Sequence, residues 1–262
     1  MHAGLAGLHL GQLTEAERAL AEGAALGEAL DGYVRAQIDL ARLEALIFLG
    51  RLGRAEELGL ALAPAAAGEL RGSHALLMGQ LYAAAGEQEA AIGHLRTAQR
   101  TAEETGNVTL HAEVHLGFGQ VAHRAGQLMV ADARGADALL LAEAAGAELL
   151  KLRVHLLLAR VRYALGRPTE AQDHLGSAAT LARELGSPHW QALVWQVGAK
   201  FSDDPAALRQ KAAAYLRFYL NQLAPLARRE FLSWPDRRDA FSARATTSLE
   251  ALVPTARREA LR

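Results

Sequence analysis

Two histidines four residues apart are the side chains of this sequence best spaced to bind a metal ion. His111 and His115 occur in the run His-Ala-Glu-Val-His, and on a helix this spacing places both imidazoles on the same side. A helical enzyme would use them, together with Glu113, around the ion. The residue order of the metalloprotease motif is absent, and no third ligand is evident from the sequence. We therefore predict no metal, no cofactor and no catalytic residue, and keep the metal-dependent enzyme as an alternative.

Other signatures of catalysis are absent or have a structural interpretation. The sequence contains no nucleophile elbow, no Walker loop and no kinase motif. Residues 117–120, Gly-Phe-Gly-Gln, follow no strand and precede no lysine, so a helix is predicted there. Asp203 and Asp204 precede Pro205, an arrangement typical of a helix start and not of paired catalytic carboxylates. These patterns favour a binding protein over an enzyme.

The elements that position these residues follow a repeat. Five glycines recur at nearly regular intervals, each is followed five positions later by an alanine, and a small residue precedes four of the five by seven positions. A period of about 40 residues indicates a repeat protein. The glycines are Gly11, Gly50, Gly86, Gly126 and Gly166, the alanines are Ala16, Ala55, Ala91, Ala131 and Ala171, and the preceding residues are Gly4, Leu43, Gly79, Gly119 and Ala159.

Each unit is predicted to be a helical hairpin. Glycine suits the turn because it accepts the positive φ that ends a helix, and the two small-residue positions mark the place where the antiparallel helices touch. A third position, nine residues after each glycine, holds Leu20, Gly59, Leu95, Gly135 and Leu175. Apolar residues make up 51% of the chain but aromatic residues only 5%, so alanine and leucine, which favour helices, dominate. The sequence therefore predicts an all-α fold.

This order of small residue, turn glycine, alanine and apolar residue resembles the tetratricopeptide repeat over about residues 1–200. The resemblance implies a right-handed superhelical solenoid of antiparallel helix pairs. The period is longer than the commoner tetratricopeptide period. In addition, Asp39, Ala75, His115 and His155 occupy the position of a large aromatic residue. Both departures are similar to the long repeats of bacterial transcriptional regulators and signalling ATPases, where such arrays form a sensor or docking arm.

Residues 1–200 are predicted to form the array, whose first repeat is truncated at its N-terminus. Hairpins are expected at residues 33–64, 73–105, 108–145 and 148–185, with an irregular connection at 65–72 and a further unit from residue 189. Residues 201–262 are predicted to be the last helix and a helical cap packed on the array, because aromatic residues cluster there. The cluster consists of Tyr215, Phe218, Tyr219, Phe231, Trp234 and Phe241. Residues 226–241 are also similar to the segment that follows such repeats in bacterial signalling ATPases.

Composition restricts the class of partner. The chain carries 28 basic and 29 acidic residues, so no overall field favours nucleic acid or an anionic membrane. No apolar run reaches the length of a membrane span, and the N-terminus lacks the pattern of a signal peptide. Cysteine is absent, which fits a reducing cytoplasm. We expect a cytoplasmic protein that binds neither membranes nor nucleic acid directly, and its oligomeric state is left open.

In tetratricopeptide arrays the first helix of each pair lines the concave face. The resemblance therefore nominates residues thirteen, six, three and two positions before the turn glycines. The polar and aromatic residues at these positions are Gln37, Glu44, Gln80, Glu113, Gln120, His123, Arg124, Arg153, Arg160 and Tyr163. The later repeats supply three arginines of this set against a single acid, and guanidinium groups suit carboxylate or phosphate partners.

Leucines between these positions, Leu76, Leu116 and Leu156, are expected to form an apolar floor, so the partner would be an acidic or amphipathic segment of protein. The function predicted is a non-enzymatic interaction or sensor module, the C-terminal part of a larger bacterial regulatory protein. A free-standing adaptor is the alternative. An ordinary solvated surface with intramolecular ion pairs would explain the same concave residues.

Overall fold

The computed structural model describes residues 19, 20, 22, 23, 31–68, 70–202 and 204–222, with side chains described through residue 214. From Gly32 onwards these residues form ten α-helices and no strand. The helices are α1 (Gly32–Leu49), α2 (Leu52–Leu62), α3 (Leu70–Ala85), α4 (Gln88–Thr105), α5 (Val108–Arg124), α6 (Leu128–Ala144), α7 (Glu148–Ala164), α8 (Pro168–Glu184), α9 (Pro188–Gly198) and α10 (Pro205–Gln222). None of the ten is long and apolar enough to span a bilayer.

The helices pack as successive pairs, α1 with α2 through α9 with α10, which confirms the predicted hairpins and the all-α fold. Several boundaries differ from expectation by one to three residues. Helix α2 begins at Leu52 instead of Arg54, and α3 begins at Leu70 instead of Ser73, so the irregular connection is shorter than predicted. The carboxylate of Asp204 accepts a hydrogen bond from the Ala207 amide at 3.1 Å, as predicted for a cap. The turn at Gly11 and the part of the predicted cap beyond residue 222 lie outside the described residues.

Glycine in the left-handed region ends the helices. Gly50, Gly86, Gly126 and Gly166 turn the chain within hairpins, at φ of 80°, 90°, 73° and 75°. At the turn after α5, the Gln127 amide donates to the Ala122 carbonyl at 2.9 Å, the six-residue closure of a Schellman motif.

The connections between hairpins also contain a glycine with positive φ. Gly106, Gly146 and Gly186 have φ of 64°, 62° and 60°. Gly106 and Gly146 lie halfway between successive hairpin glycines, and Gly186 follows the last hairpin glycine at the same spacing. The predicted hairpin bounds leave gaps at these connections, but the regular glycine spacing between hairpins was not predicted. The repeat period from Gly86 to Gly186 therefore consists of two nearly equal helix-and-turn units.

Within hairpins the helices touch at the predicted small residues. A Cβ added at Gly79 would lie 2.9 Å from Leu95 Cγ and 3.3 Å from the Ala91 carbonyl oxygen. Another added at Gly119 would lie 3.5 Å from the Ala131 carbonyl oxygen. The alanines of the repeat from Ala55 to Ala171 are completely buried. Both small-residue positions are thus confirmed as helix contacts.

Contacts between hairpins match a glycine on one helix with a large side chain on the next. The sulfur of Met78 fills the space where Gly59 lacks a Cβ, and Leu158 Cδ2 lies 2.6 Å from the Cβ position of Gly135. In these two contacts the glycine belongs to the second helix of a hairpin and the large residue to the first helix of the next.

Two further contacts reverse the arrangement. Leu95 Cδ2 lies 2.8 Å from the Cβ position of Gly117, and Leu175 Cδ2 lies 3.2 Å from that of Gly198. Leu95 and Leu175 occupy the third repeat position, where glycine alternates with leucine. The alternation of glycine and leucine in the sequence therefore shows which helix supplies the large side chain at each contact between hairpins. Where this position is leucine, the second helix supplies it, and where it is glycine, the first helix of the next hairpin does.

The array curves toward its first helices. Helices α1, α3, α5, α7 and α9 contact one another in sequence, whereas among the described residues no comparable contact joins α2 to α4, α4 to α6 or α6 to α8. The exposed surface of α1, α3, α5, α7 and α9 is therefore the inner face, and that of α2, α4, α6 and α8 is the outer face.

Replacement of Ala131 by leucine should destabilise the protein by roughly 1–3 kcal/mol, because the added atoms overpack a helix contact. Ala61→Leu is the matched control, since Ala61 is exposed on α2. Urea denaturation of both variants measures the effect. Equal midpoints for the two variants would contradict the packing assigned to Ala131.

Candidate functional site

Two columns of polar side chains run along the inner face, thirteen and six residues before the turn glycines. Seven residues make about two helical turns, so both columns lie on the same side of their helices. Every member is half-buried. The first column is Gln37, Ser73, Glu113 and Arg153, and the second is Glu44, Gln80, Gln120 and Arg160.

One pair of neighbouring column members makes direct contact. Arg153 Nη1 of α7 lies 3.4 Å from Glu113 Oε1 of α5. This ion pair joins two residues nominated as binding residues, and it offsets part of the positive charge of α7. The structure thus brings the nominated residues onto one surface, some of whose charges already interact within the chain.

The remaining nominated residues lie where the first helices end. Arg124 is exposed, and its Nη1 donates to the Ala83 carbonyl at the end of α3. Tyr163 is 43% exposed, and its ring centroid lies 4.5 Å from that of Phe201. His123 is half-buried. These residues form one edge of the inner face.

The expected apolar floor is wrong. Leu76, Leu116 and Leu156 are only 4%, 1% and 6% exposed, and each packs in the core between helices. The physical reason is that successive first helices lie against each other and cover the leucines, while the longer polar side chains extend past the contact. The inner face is consequently more polar than the sequence pattern indicated.

His111 and His115 do meet, with their Nε2 atoms 3.2 Å apart. His115 is buried, and its Nδ1 lies 3.3 Å from Asp137 Oδ2 of α6. Burial, helped by the charge of Arg134, lowers the pKa of His115, although Asp137 acts in the opposite direction. Among the described residues, no cluster of three or more histidine, aspartate or glutamate side chains suits a metal ion. The buried ring of His115 thus packs at the position where this type of repeat has a large aromatic residue.

His155 occupies the same repeat position and also contacts a histidine. Its Nδ1 lies 2.8 Å from Nδ1 of His174 across the α7–α8 hairpin. Burial lowers the pKa of both residues, and for His174 the nearby Arg162 and His155 lower it further, to about 4. Both rings are therefore neutral at pH 7, where one ring nitrogen donates to the other.

Four charged residues link two hairpins beside these histidines. Arg162 Nε lies 3.0 Å from Asp132 Oδ1, and Arg162 Nη1 lies 3.0 Å from Glu170 Oε2. Arg167 Nη1 contacts Asp132 at 2.8 Å, and its Nε contacts Glu170 at 2.5 Å. This network is not evident from the sequence, because Asp132 and Arg162 stand 30 residues apart with no motif between them.

An aromatic contact joins distant parts of the inner face. The ring centroid of Phe48, at the end of α1, lies 4.8 Å from that of His189, at the start of α9. His189 is 2% exposed and also contacts Trp190. The described array therefore curves enough for the end of α1 to meet the start of α9.

Comparison with solved structures supports the architecture. The chain is similar to aspartyl phosphate phosphatase F from Bacillus subtilis, with a TM-score of 0.66 at 13% sequence identity, over 95% of this chain and 67% of that one. No protein-family profile matches the chain, and no curated protein matches it in sequence. At this identity the similarity is one of fold. Both chains share an all-helical, repeat-like architecture.

The low pKa of His174 should make folding sensitive to acid. An unfolded histidine has a pKa of about 6.5, so protons bind the unfolded chain preferentially between that value and about 4. Stability present above pH 6.5 should therefore be lost as the pH falls toward 5. The loss from this residue should be about 1 kcal/mol, because solvent around the half-buried ring screens part of the full effect of about 2 kcal/mol.

Urea denaturation of the wild type and of His174→Gln between pH 7.5 and 5 measures the effect. The variant should lose clearly less stability over this range. An NMR titration of the His174 ring is an independent check, and a pKa near that of free histidine would contradict the prediction.

Proposed function

We propose that this chain is a non-enzymatic protein-interaction module that binds a segment of another protein, or of a parent chain, along its inner face. The observation that carries the proposal is the pair of polar columns on the inner face. Eight polar side chains, contributed by four successive first helices, stand in line at equivalent positions. A set of donors and acceptors held on stacked helices is preorganised for an extended partner.

The charges of the columns indicate the chemistry of that partner. Glu44 lies on α1 and Glu113 on α5, while Arg153 and Arg160 lie on α7. Acidic groups of a partner are therefore best placed against α7, where guanidinium groups give directional hydrogen bonds. Arg124 at the edge of the inner face adds a further positive charge.

Apolar contacts would come from the edge of this face. Because the leucines are buried, the apolar contact nearest the arginines of α7 is Tyr163, which is exposed, together with the half-buried ring of Phe201 stacked on it. An acidic segment that carries one aromatic or aliphatic side chain fits this arrangement better than an amphipathic helix with a long apolar stripe.

The context proposed is regulatory. The long repeats resemble those of bacterial transcriptional regulators and signalling ATPases, and we propose that the chain is the C-terminal part of such a protein. A free-standing adaptor would use the same face. The similar solved structure is named a phosphatase, so hydrolysis of an aspartyl phosphate by the purified chain is the result that would contradict a non-enzymatic role.

A photoreactive amino acid at Gln120 should crosslink the partner in cells, whereas the same group at Arg96, exposed on α4 of the outer face, should not. Mass spectrometry of the adduct identifies the partner and the residues in contact. Equal crosslinking at the two positions would show that the inner face is not selective.

With the partner in hand, Arg124→Glu should weaken binding about tenfold or more, because it reverses an exposed charge facing acidic groups. Arg100→Glu, exposed on α4, is the control of equal charge change. Isothermal titration measures both affinities, and thermal melts should shift little for either variant because both sites are exposed. Equal affinities would mean that the inner-face charges are only solvated.

A further inference from the structure

Helix α6 exposes an apolar stripe on the outer face. Met129 and Leu140 are 71% and 68% exposed, the highest values among the large hydrophobic residues described. Ala133, Ala136 and Ala144 are also exposed and lie between or beside them at spacings of three and four residues. These five residues, the α6 stripe, contain no polar side chain.

The equivalent positions of neighbouring helices are polar or glycine. Positions one repeat earlier on α4 and one repeat later on α8 carry charged residues, threonine and glycine, all exposed. They are Glu89, Gly93, Arg96, Arg100 and Glu104 on α4, and Thr169, Asp173, Gly176, Thr180 and Glu184 on α8. The equivalent outer-face positions are therefore polar or glycine on α4 and α8 but apolar on α6.

Three charged side chains of α6 turn sideways toward neighbours in the same chain. Asp132 pairs with Arg162, and Asp137 lies against His115. The guanidinium carbon of Arg134 lies 5.2 Å from the centre of a phenylalanine ring on α5. Asp132 and Arg134 are half-buried by these contacts, whereas the Asp137 side chain stays 57% exposed and borders the stripe.

The fourth charged residue of α6, Glu143, is exposed near the end of the helix. Its charge acts on the ring of His155 of α7, so it borders the stripe on the side of the next hairpin. The centre of the stripe is thus apolar and its edge is charged. A continuous exposed apolar strip with a polar border typically marks an interface.

The stripe is complementary in size to an antiparallel copy of itself. Around a two-fold axis beside Ala136, Met129 of one copy faces Ala144 of the other, and Leu140 faces Ala133. Each large side chain thus meets an alanine, and the alanines let the two helix axes approach toward about 8 Å. A two-fold axis makes the same patch serve both copies.

We infer that two copies of this chain associate through the α6 stripe, with their α6 helices antiparallel around Ala136. The surface lies on the outer face and does not depend on the function proposed for the inner face. A helix of 17 residues is about 26 Å long, and one face of it buries less than the roughly 800 Å² per partner of a standard interface. The dimer should therefore form at micromolar concentrations and dissociate on dilution.

Sedimentation velocity of the full chain over a range of concentrations tests the association. We expect the wild type to shift from monomer to dimer as concentration rises, and Leu140→Glu to raise the dissociation constant at least tenfold. Thr180→Glu, which places the same residue at the equivalent position of α8, should have no effect. A wild type that stays monomeric, or a dimer unaffected by Leu140→Glu, overturns the inference.

Single cysteines test the geometry, because the chain has no cysteine of its own. Ala136→Cys places two thiols beside the two-fold axis, so mild oxidation should join them into a disulfide dimer. Gly176→Cys, exposed at the equivalent position of α8 with open space for its Cβ, should remain monomeric. No disulfide at position 136, or equal yields at both positions, overturns the antiparallel arrangement.

The same experiments distinguish two other ways in which the stripe could be covered. If Leu140→Glu lowers the melting temperature of a protein that is monomeric at every concentration, another part of the same chain covers α6. If the stripe instead binds a different protein, the wild type stays monomeric and position 136 gives no homodimeric disulfide. Either result overturns association between copies.

Discussion

The fold depends on close contacts between helices at residues without large side chains. Alanine and glycine occupy these contacts within hairpins, and glycine faces methionine or leucine between hairpins. Aromatic side chains make up only 5% of the chain, so little of the core can come from large rings. Dispersion contacts at short range must supply the packing that larger side chains supply elsewhere. This constraint explains why an alanine-rich sequence still forms a specific array.

The same constraint fixes the period and the curvature. Evenly spaced glycine turns keep helices α4 to α8 nearly equal in length, so equivalent positions stay aligned from one hairpin to the next. The first helices lie against each other, whereas the second helices are separated over the part of the chain that the structure describes, and the array bends accordingly. Polar columns on the inner face are a consequence of this alignment. A repeat of uneven length would scatter the same side chains over several directions.

Sequence reasoning predicted the hairpins because their signals are local and repeated. A glycine and an alanine five residues apart recur at nearly constant spacing, and the contacts at Gly79 and Ala131 follow from that pattern. The turns between hairpins, such as the one at Gly146, could also be predicted from the sequence, because their glycines are as regularly spaced as those within hairpins. The leucine floor failed for a physical reason: periodicity shows which side of a helix is apolar, but it does not show whether a neighbouring helix covers that side. The link between Asp132 and Arg162 is also beyond sequence, since it depends on the rotation of one hairpin against the next.

The two faces of the array differ in a way that suits different tasks. The inner face presents half-buried polar groups whose positions are fixed by helices packed on both sides, and preorganised groups of this kind discriminate between partners by hydrogen bonding and charge. The α6 stripe presents only methionine, leucine and alanine, and contacts of this kind select mainly by shape and area. Outer-face helices make few contacts with one another, so substitutions at their exposed positions change the surface and leave the contacts with the next hairpin in place. A repeat array can therefore acquire an apolar outer stripe on one hairpin while its inner face keeps a separate binding surface.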